Sequence, residues 1–128
     1  MKFSQEDMTD AHSIKSYDKK SVVIQSADKS ESTTMTTPFI LSIDRLFTVY
    51  PINLILDFNT DDADYFKSLD IEVLITGQLK VTRLTGPILV KFSEEAIGVE
   101  QMLIGSACKT YNLLISEGRR VALVINFE

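Results

Sequence analysis

The clearest hydrophobic patterning lies in the last third of the chain. Positions 98–104 (Gly-Val-Glu-Gln-Met-Leu-Ile) form a mostly apolar run that predicts a strand. Gly105 and Ser106 then open a helical pattern over 106–117. Within it Ala107, Cys108, Tyr111, Leu114 and Ile115 recur at helical spacing and gather on one face, while Lys109, Thr110, Ser116 and Glu117 face the other way. Gly118 supplies the left-handed residue that ends a helix, and Arg119 and Arg120 stand where cations offset its negative terminus. Positions 121–125 are apolar throughout, which predicts a strand covered on both faces and therefore central in its sheet.

Upstream the pattern is shorter-ranged. Positions 14–17 and 21–25 read as the arms of a hairpin around the polar turn Asp18-Lys19-Lys20, and 26–37 is rich enough in Ser, Thr, Asp and Lys to predict a loop. Pro38 opens a strand over 38–43, 44–51 turns the chain, and the partial alternation of Ile52, Leu54, Leu56 and Phe58 predicts an extended segment. Thr60 caps a short helix with Asp61, Asp62 and Asp64 at its start and Ala63, Phe66 and Leu69 as its buried edge. A strand over 71–75 leads into a loop, Thr76-Gly77-Gln78, and then an irregular connection. Thr85 and Pro87 begin another helix, whose apolar stripe is Ile88, Leu89, Phe92 and Ala96 and whose stop is Gly98. The second half thus reads β–α–β–α–β, with a parallel, right-handed first crossover.

Composition narrows the functional classes. A chain of 128 residues with 45% hydrophobic and 24% charged positions suits one globular domain, here 14–128 behind a polar, flexible leader over 1–13. The net charge of −5 and scattered Lys and Arg argue against nucleic acid and anionic membrane surfaces as partners. The leader has no apolar core of a secretory signal, and no run is long enough to span a bilayer, so a cytoplasmic protein is expected.

Catalytic and metal-binding sets are thin. His12 and Cys108 are each the sole residue of their kind. Cys108 falls on the apolar face of its helix, as a structural thiol would. The three Asp residues lack the spacing and glycine of a calcium loop, and capping explains them better. The loop over 26–37 lacks a glycine-rich phosphate cradle. No cofactor, no metal and no enzymatic activity are expected.

The residues Gly98-Val-Glu, Ala107-Cys-Lys-Thr-Tyr-Asn112 and Glu117-Gly-Arg-Arg-Val121, with Ser16-Tyr17-Asp18 earlier, resemble the Mth938-like family, also known as the domain of unknown function 498. That family includes bacterial proteins and the mitochondrial respiratory complex I assembly factor 3. The resemblance implies an α/β, three-layer fold with a central, mostly parallel mixed sheet, helices and additional β structure packed on it. It also implies a C-terminal strand inside the sheet and antiparallel to its neighbours. The resemblance implies a non-enzymatic protein: the mitochondrial relative works with a partner protein in assembling complex I, and the bacterial members lack an established activity.

Two positions depart from the family pattern. Ile75 stands where a glycine is usual before Thr76-Gly77, and Leu103-Ile104 replaces a polar capping pair. Both sit at strand carboxyl ends, where open α/β sheets bind ligands, so a small-anion site is weakened there. Two functional readings follow. The favoured one is a protein-interaction module with Asn112, Arg119 and Arg120 as candidate partner contacts. The alternative is a small-ligand or anion binder using Thr76, Gly77, Gln78 and Ser106. The sequence leaves monomer and homodimer equally open.

Overall fold

The computed structural model describes residues 11–48 and 62–127. Five strands come first: β1 (Ser13–Tyr17), β2 (Val22–Gln25), β3 (Ser32–Met35), β4 (Phe39–Ser42) and β5 (Leu46–Phe47). The remainder runs α1 (Asp62–Ser68), β6 (Val73–Gln78), α2 (Gly86–Glu94), β7 (Gly98–Leu103), α3 (Ile104–Ser116) and β8 (Val121–Asn126). β1, β2 and β3 form an antiparallel three-stranded sheet. The other five strands form a mixed sheet in the order β5-β4-β8-β6-β7.

β8 lies inside that sheet because its run 121–125 is apolar on both faces. Val121, Leu123 and Ile125 join one apolar cluster and Ala122 and Val124 the other, all buried. Burying each of the Val, Leu and Ile side chains contributes on the order of 1.5–3 kcal/mol. β4 alternates in the same way, with Phe39 and Leu41 on one side and Ile40 on the other.

Three layers result. α1 and α2 cover one face through Ala63, Phe66 and Phe92. The opposite face meets α3 through Ile104, Ala107, Cys108, Tyr111 and Ile115, together with Ile14, Val22, Ile24 and Met35 from the small sheet. α3 and the small sheet therefore share one apolar core against the large sheet.

The predicted β–α–β–α–β half is present, and β6 and β7 pair in parallel. β8 follows α3 and lies on the other side of β6, also parallel to it. The expectation that the last strand is antiparallel to its neighbours holds only toward β4. The reason is topological: α3 is a full crossover that returns the chain to the same end of the sheet.

Several boundaries move. The expected loop over 26–37 contains β3, whose residues 32–34 are exposed and only Met35 is buried. A strand that pairs with β2 through its backbone needs little apolar patterning, and Ser and Thr conceal it. Thr76, Gly77 and Gln78 are not a loop but the buried end of β6, hydrogen-bonded on both sides by β7 and β8. α2 ends at Glu94, and Ala96 takes the left-handed conformation (φ 62°), so Gly98 opens β7 and stops nothing. Phe92 is buried in the stripe of α2, but Leu89 is 38% exposed and Ala96 is exposed too. α3 begins at Ile104 rather than 106. The end of the predicted leader is ordered: Ala11 is buried, and the His12 N–H donates to the Ile43 carbonyl at 2.8 Å. The extended segment predicted over 52–58 and the Thr60 cap lie outside the described residues.

Candidate functional site

The carboxyl ends of β6 and β7 and the first turn of α3 meet the β1–β2 turn around an open groove of about 720 Å³. Four local devices shape it. Asp18 holds the turn: its carboxylate accepts the Lys20 and Ser21 N–H groups, both at 2.8 Å, and its own N–H donates to the Ser21 carbonyl at 2.9 Å. Those backbone bonds keep the Asp18 carboxyl below its ordinary value, so the turn is locked by a charged group. Tyr17 precedes the turn and lies over the start of α3; a Cβ at Gly105 would meet its ring at 3.1 Å. Register places Gln78 opposite Leu103, and the chain then enters α3 directly at Ile104.

The wall is apolar where it is exposed. Tyr17, Leu79 and Leu103 are 37%, 42% and 52% exposed, and all three line the groove with Ile104. The charged lining residues are Asp18, Lys19, Lys20 and Lys109. Lys19, Lys20 and Lys109 form no ion pair with a described carboxylate. The first turn of α3 carries no acidic side chain, and Leu103 at its N-cap offers no capping acceptor. The positive end of the helix therefore adds to the three ammonium groups.

Of the four candidate ligand residues, Gln78 and Ser106 line the groove, whereas Thr76 and Gly77 do not. Gly77 is a packing residue. A Cβ there would lie 2.6 Å from Ile125 Cδ1, 2.8 Å from Ala107 Cβ and 3.3 Å from Ile104 Cα, so only glycine lets α3 approach β6 this closely. Thr76 is buried in the middle of the sheet. Its Oγ1 and the Oε1 of Gln78 are buried without a hydrogen-bond partner.

The candidate partner contacts are engaged within the fold. Asn112 treats β1 as another strand would: its Oδ1 accepts the Ile14 N–H and its Nδ2 donates to the Ile14 carbonyl, each at 2.9 Å. Tyr111, one residue earlier, buries its ring and donates its hydroxyl to the His12 carbonyl at 2.8 Å. Burial raises its pKa. Arg119 and Arg120 both lie at the opposite end of the sheet. Arg119 Nε is 3.3 Å from Glu72 Oε2, and Arg120 reaches the Asp70 carboxylate at 2.8 Å and carbonyl at 3.0 Å. Bonds from the Arg120 N–H and the Arg119 side chain hold the Glu72 carboxyl below its ordinary value.

Neither lone chemical candidate faces the groove. Cys108 is fully buried, and burial pushes its thiol up to about 12, far from a nucleophile's range. His12 Nδ1 accepts the Ala27 N–H at 2.9 Å. No cluster of His, Cys, Asp and Glu suited to a metal ion occurs among the described residues. Tyr17, Lys19, Lys20, Leu79, Leu103 and Lys109 carry no sequence pattern as a site. The one signal was Leu103-Ile104, an apolar pair where the family is polar.

A mixed five-stranded sheet flanked by two helices on one face, and by a long helix with a three-stranded sheet on the other, defines a Mth938-like α/β domain. The chain belongs to the family described as a protein of unknown function (DUF498/DUF598), whose model matches residues 14–126. Among solved structures it is similar to the Xanthomonas campestris protein XCC1710 at 26% identity, with a TM-score of 0.73 over 98% of this chain and 91% of that one. A Bordetella parapertussis protein is 19% identical, with a TM-score of 0.73 over 91% of this chain and 95% of the other. A Bordetella pertussis protein described as a Mth938-like domain is 18% identical, with a TM-score of 0.66 over 90% and 85% of the two chains. No curated relative matches this chain. No helix among the described residues is long and apolar enough to cross a membrane.

Proposed function

We propose that this protein is a non-enzymatic interaction module whose partner docks in the groove between the β1–β2 turn and the start of α3. The supporting observation is the row of exposed apolar side chains, Tyr17, Leu79 and Leu103, on the wall of an open cavity. Exposed apolar surface gathered in one concavity is characteristic of a contact site. The buried, unreactive Cys108 and the internally bonded His12 give a catalytic reading no support. The family resemblance adds a role in assembling other proteins, of the kind carried out by respiratory complex I assembly factors.

The test is photo-crosslinking in native cells from a reactive amino acid at Leu103, with Val90 on α2 as the control position. A discrete adduct of one protein from Leu103 and none from Val90 supports the proposal. Equal, diffuse labelling from both positions would end it. A second reading, a small-ligand site, draws on Gln78, whose buried Oε1 lacks a partner beside the groove. It predicts that a metabolite panel contains a compound that raises Tm, and that Ser106→Ala reduces the rise.

A further inference from the structure

The groove's charge is opposite to that of the protein. The whole chain carries −5, yet the lining holds Lys19, Lys20 and Lys109 against Asp18 alone. Asp18 offsets only one of the three: its carboxylate interacts with Lys20 while Oδ1 accepts the N–H groups of Lys20 and Ser21 and the Ser21 hydroxyl, and the lining stays net positive. Three ammonium groups thus stand around an apolar trough without a described ion-pair partner, beside a helix start that brings its own positive end.

An occupant must satisfy both features together. A nucleic acid or a free phosphate would answer the lysines but leave Tyr17, Leu79 and Leu103 wet. An uncharged apolar segment would fill the trough but leave the lysines unanswered. We infer that the groove binds an acidic peptide segment of the partner, with two or more large apolar side chains interspersed with carboxylates. This rests on the interaction-module reading and names the chemistry of its partner. The groove is open to solvent, as suits a segment of a larger partner, whereas a small ligand is ordinarily buried over most of its surface. The apolar side chains supply the burial, and the carboxylates set register and encounter rate through the three lysines.

The experiment pans random dodecapeptides displayed on phage against the intact protein. Enriched sequences are then made as fluorescein-labelled peptides and titrated by anisotropy. Expected are peptides of net negative charge with at least two Leu, Phe, Tyr or Trp residues. Their Kd should weaken about tenfold or more in the triple variant Lys19→Glu/Lys20→Glu/Lys109→Glu, and about tenfold in Leu103→Ser. All four positions are exposed, so the variants should keep the parent Tm, which is checked in parallel. Raising salt from about 0.05 to 0.5 M should weaken binding several-fold. Enrichment of neutral peptides that still depend on Leu103 would overturn the acidic occupant while leaving the interaction module standing. Peptides insensitive to both variants, or no enrichment, would remove the groove from both readings. Decanoate below its micelle range is the small-molecule control: it should displace the labelled peptides only at concentrations far above their Kd, and displacement at concentrations matching that Kd would replace the peptide by an amphiphilic carboxylate.

Discussion

Gly77 and Gly105 sit at the two sides of the same strand-to-helix corner, and they mark opposite solutions. At Gly77 the helix is drawn onto the sheet until no Cβ fits, with Ile125, Ala107 and the Ile104 backbone as fixed neighbours. At Gly105 the contact is the ring of Tyr17, which is 37% exposed and can give way. One glycine closes a seam; the other lies at the edge of an opening. The Tyr111–Asn112 pair belongs to the seam, since it ties the small sheet to α3 through His12 and Ile14. The lesson is that the most recognisable block of the sequence serves assembly of the layers. The groove lies beside that block, which gives its wall Lys109 alone.

The comparison breaks most directly at the seam. Gly77→Val should destabilise the protein by about 3 kcal/mol or prevent folding, because the new side chain meets backbone and core atoms that cannot shift. Thermal melting checks this; a parent-like Tm would mean that the helix stands off the sheet. Asn112→Ala removes two hydrogen bonds from a partly buried strand backbone and should cost about 2 kcal/mol in urea denaturation, with Tyr111→Phe near 1 kcal/mol. If Asn112→Ala were neutral, β1 would be held by apolar packing alone. Gly105→Ala should change stability by less than about 0.5 kcal/mol, since Tyr17 can rotate and alanine favours the helix. A large loss at Gly105 would make the groove as rigid as the seam.

The smallest effect concerns pH and lies in the β2–β3 turn. The hydroxyl and N–H of Ser30, with the Ser26 hydroxyl, hold Asp28 down to about 2 from an ordinary value of 3.8. A depressed carboxyl contributes stability that is fully present above its unfolded value and lost as pH falls through the folded one. Denaturation midpoints of the parent should therefore fall between about pH 4 and 2 more steeply than those of Asp28→Asn. Identical slopes would show that the turn's bonds persist in the unfolded chain.

Much of the fold was legible because it follows from local chemistry. The helical spacing of Ala107, Cys108, Tyr111 and Ile115 announced the face that α3 buries, and the all-apolar run at 121–125 announced a strand inside its sheet. Periodicity reports which side of an element avoids water, and that is decided residue by residue. It could not reveal β3, whose polar residues 32–34 hold their place by backbone pairing with β2. Nor could it extend β6 through Thr76, Gly77 and Gln78, where polar and glycine residues imitate a loop until two neighbouring strands pair with them. The role of Gly77 needed Ile125 and Ala107, which stand 48 and 30 positions away in the sequence.

The sequence by itself determined the elements of the second half, the burial of Cys108 and Tyr111, and the family to which the chain belongs. Tertiary structure alone decided the direction of β8 against each neighbour, the engagement of Asn112, Arg119 and Arg120 within the fold, and the groove itself. The physical reason is range: amphipathic spacing is carried by residues a few positions apart. A cavity bounded by Tyr17, Leu79 and Leu103 exists only after distant strand ends have been brought to one edge of a sheet.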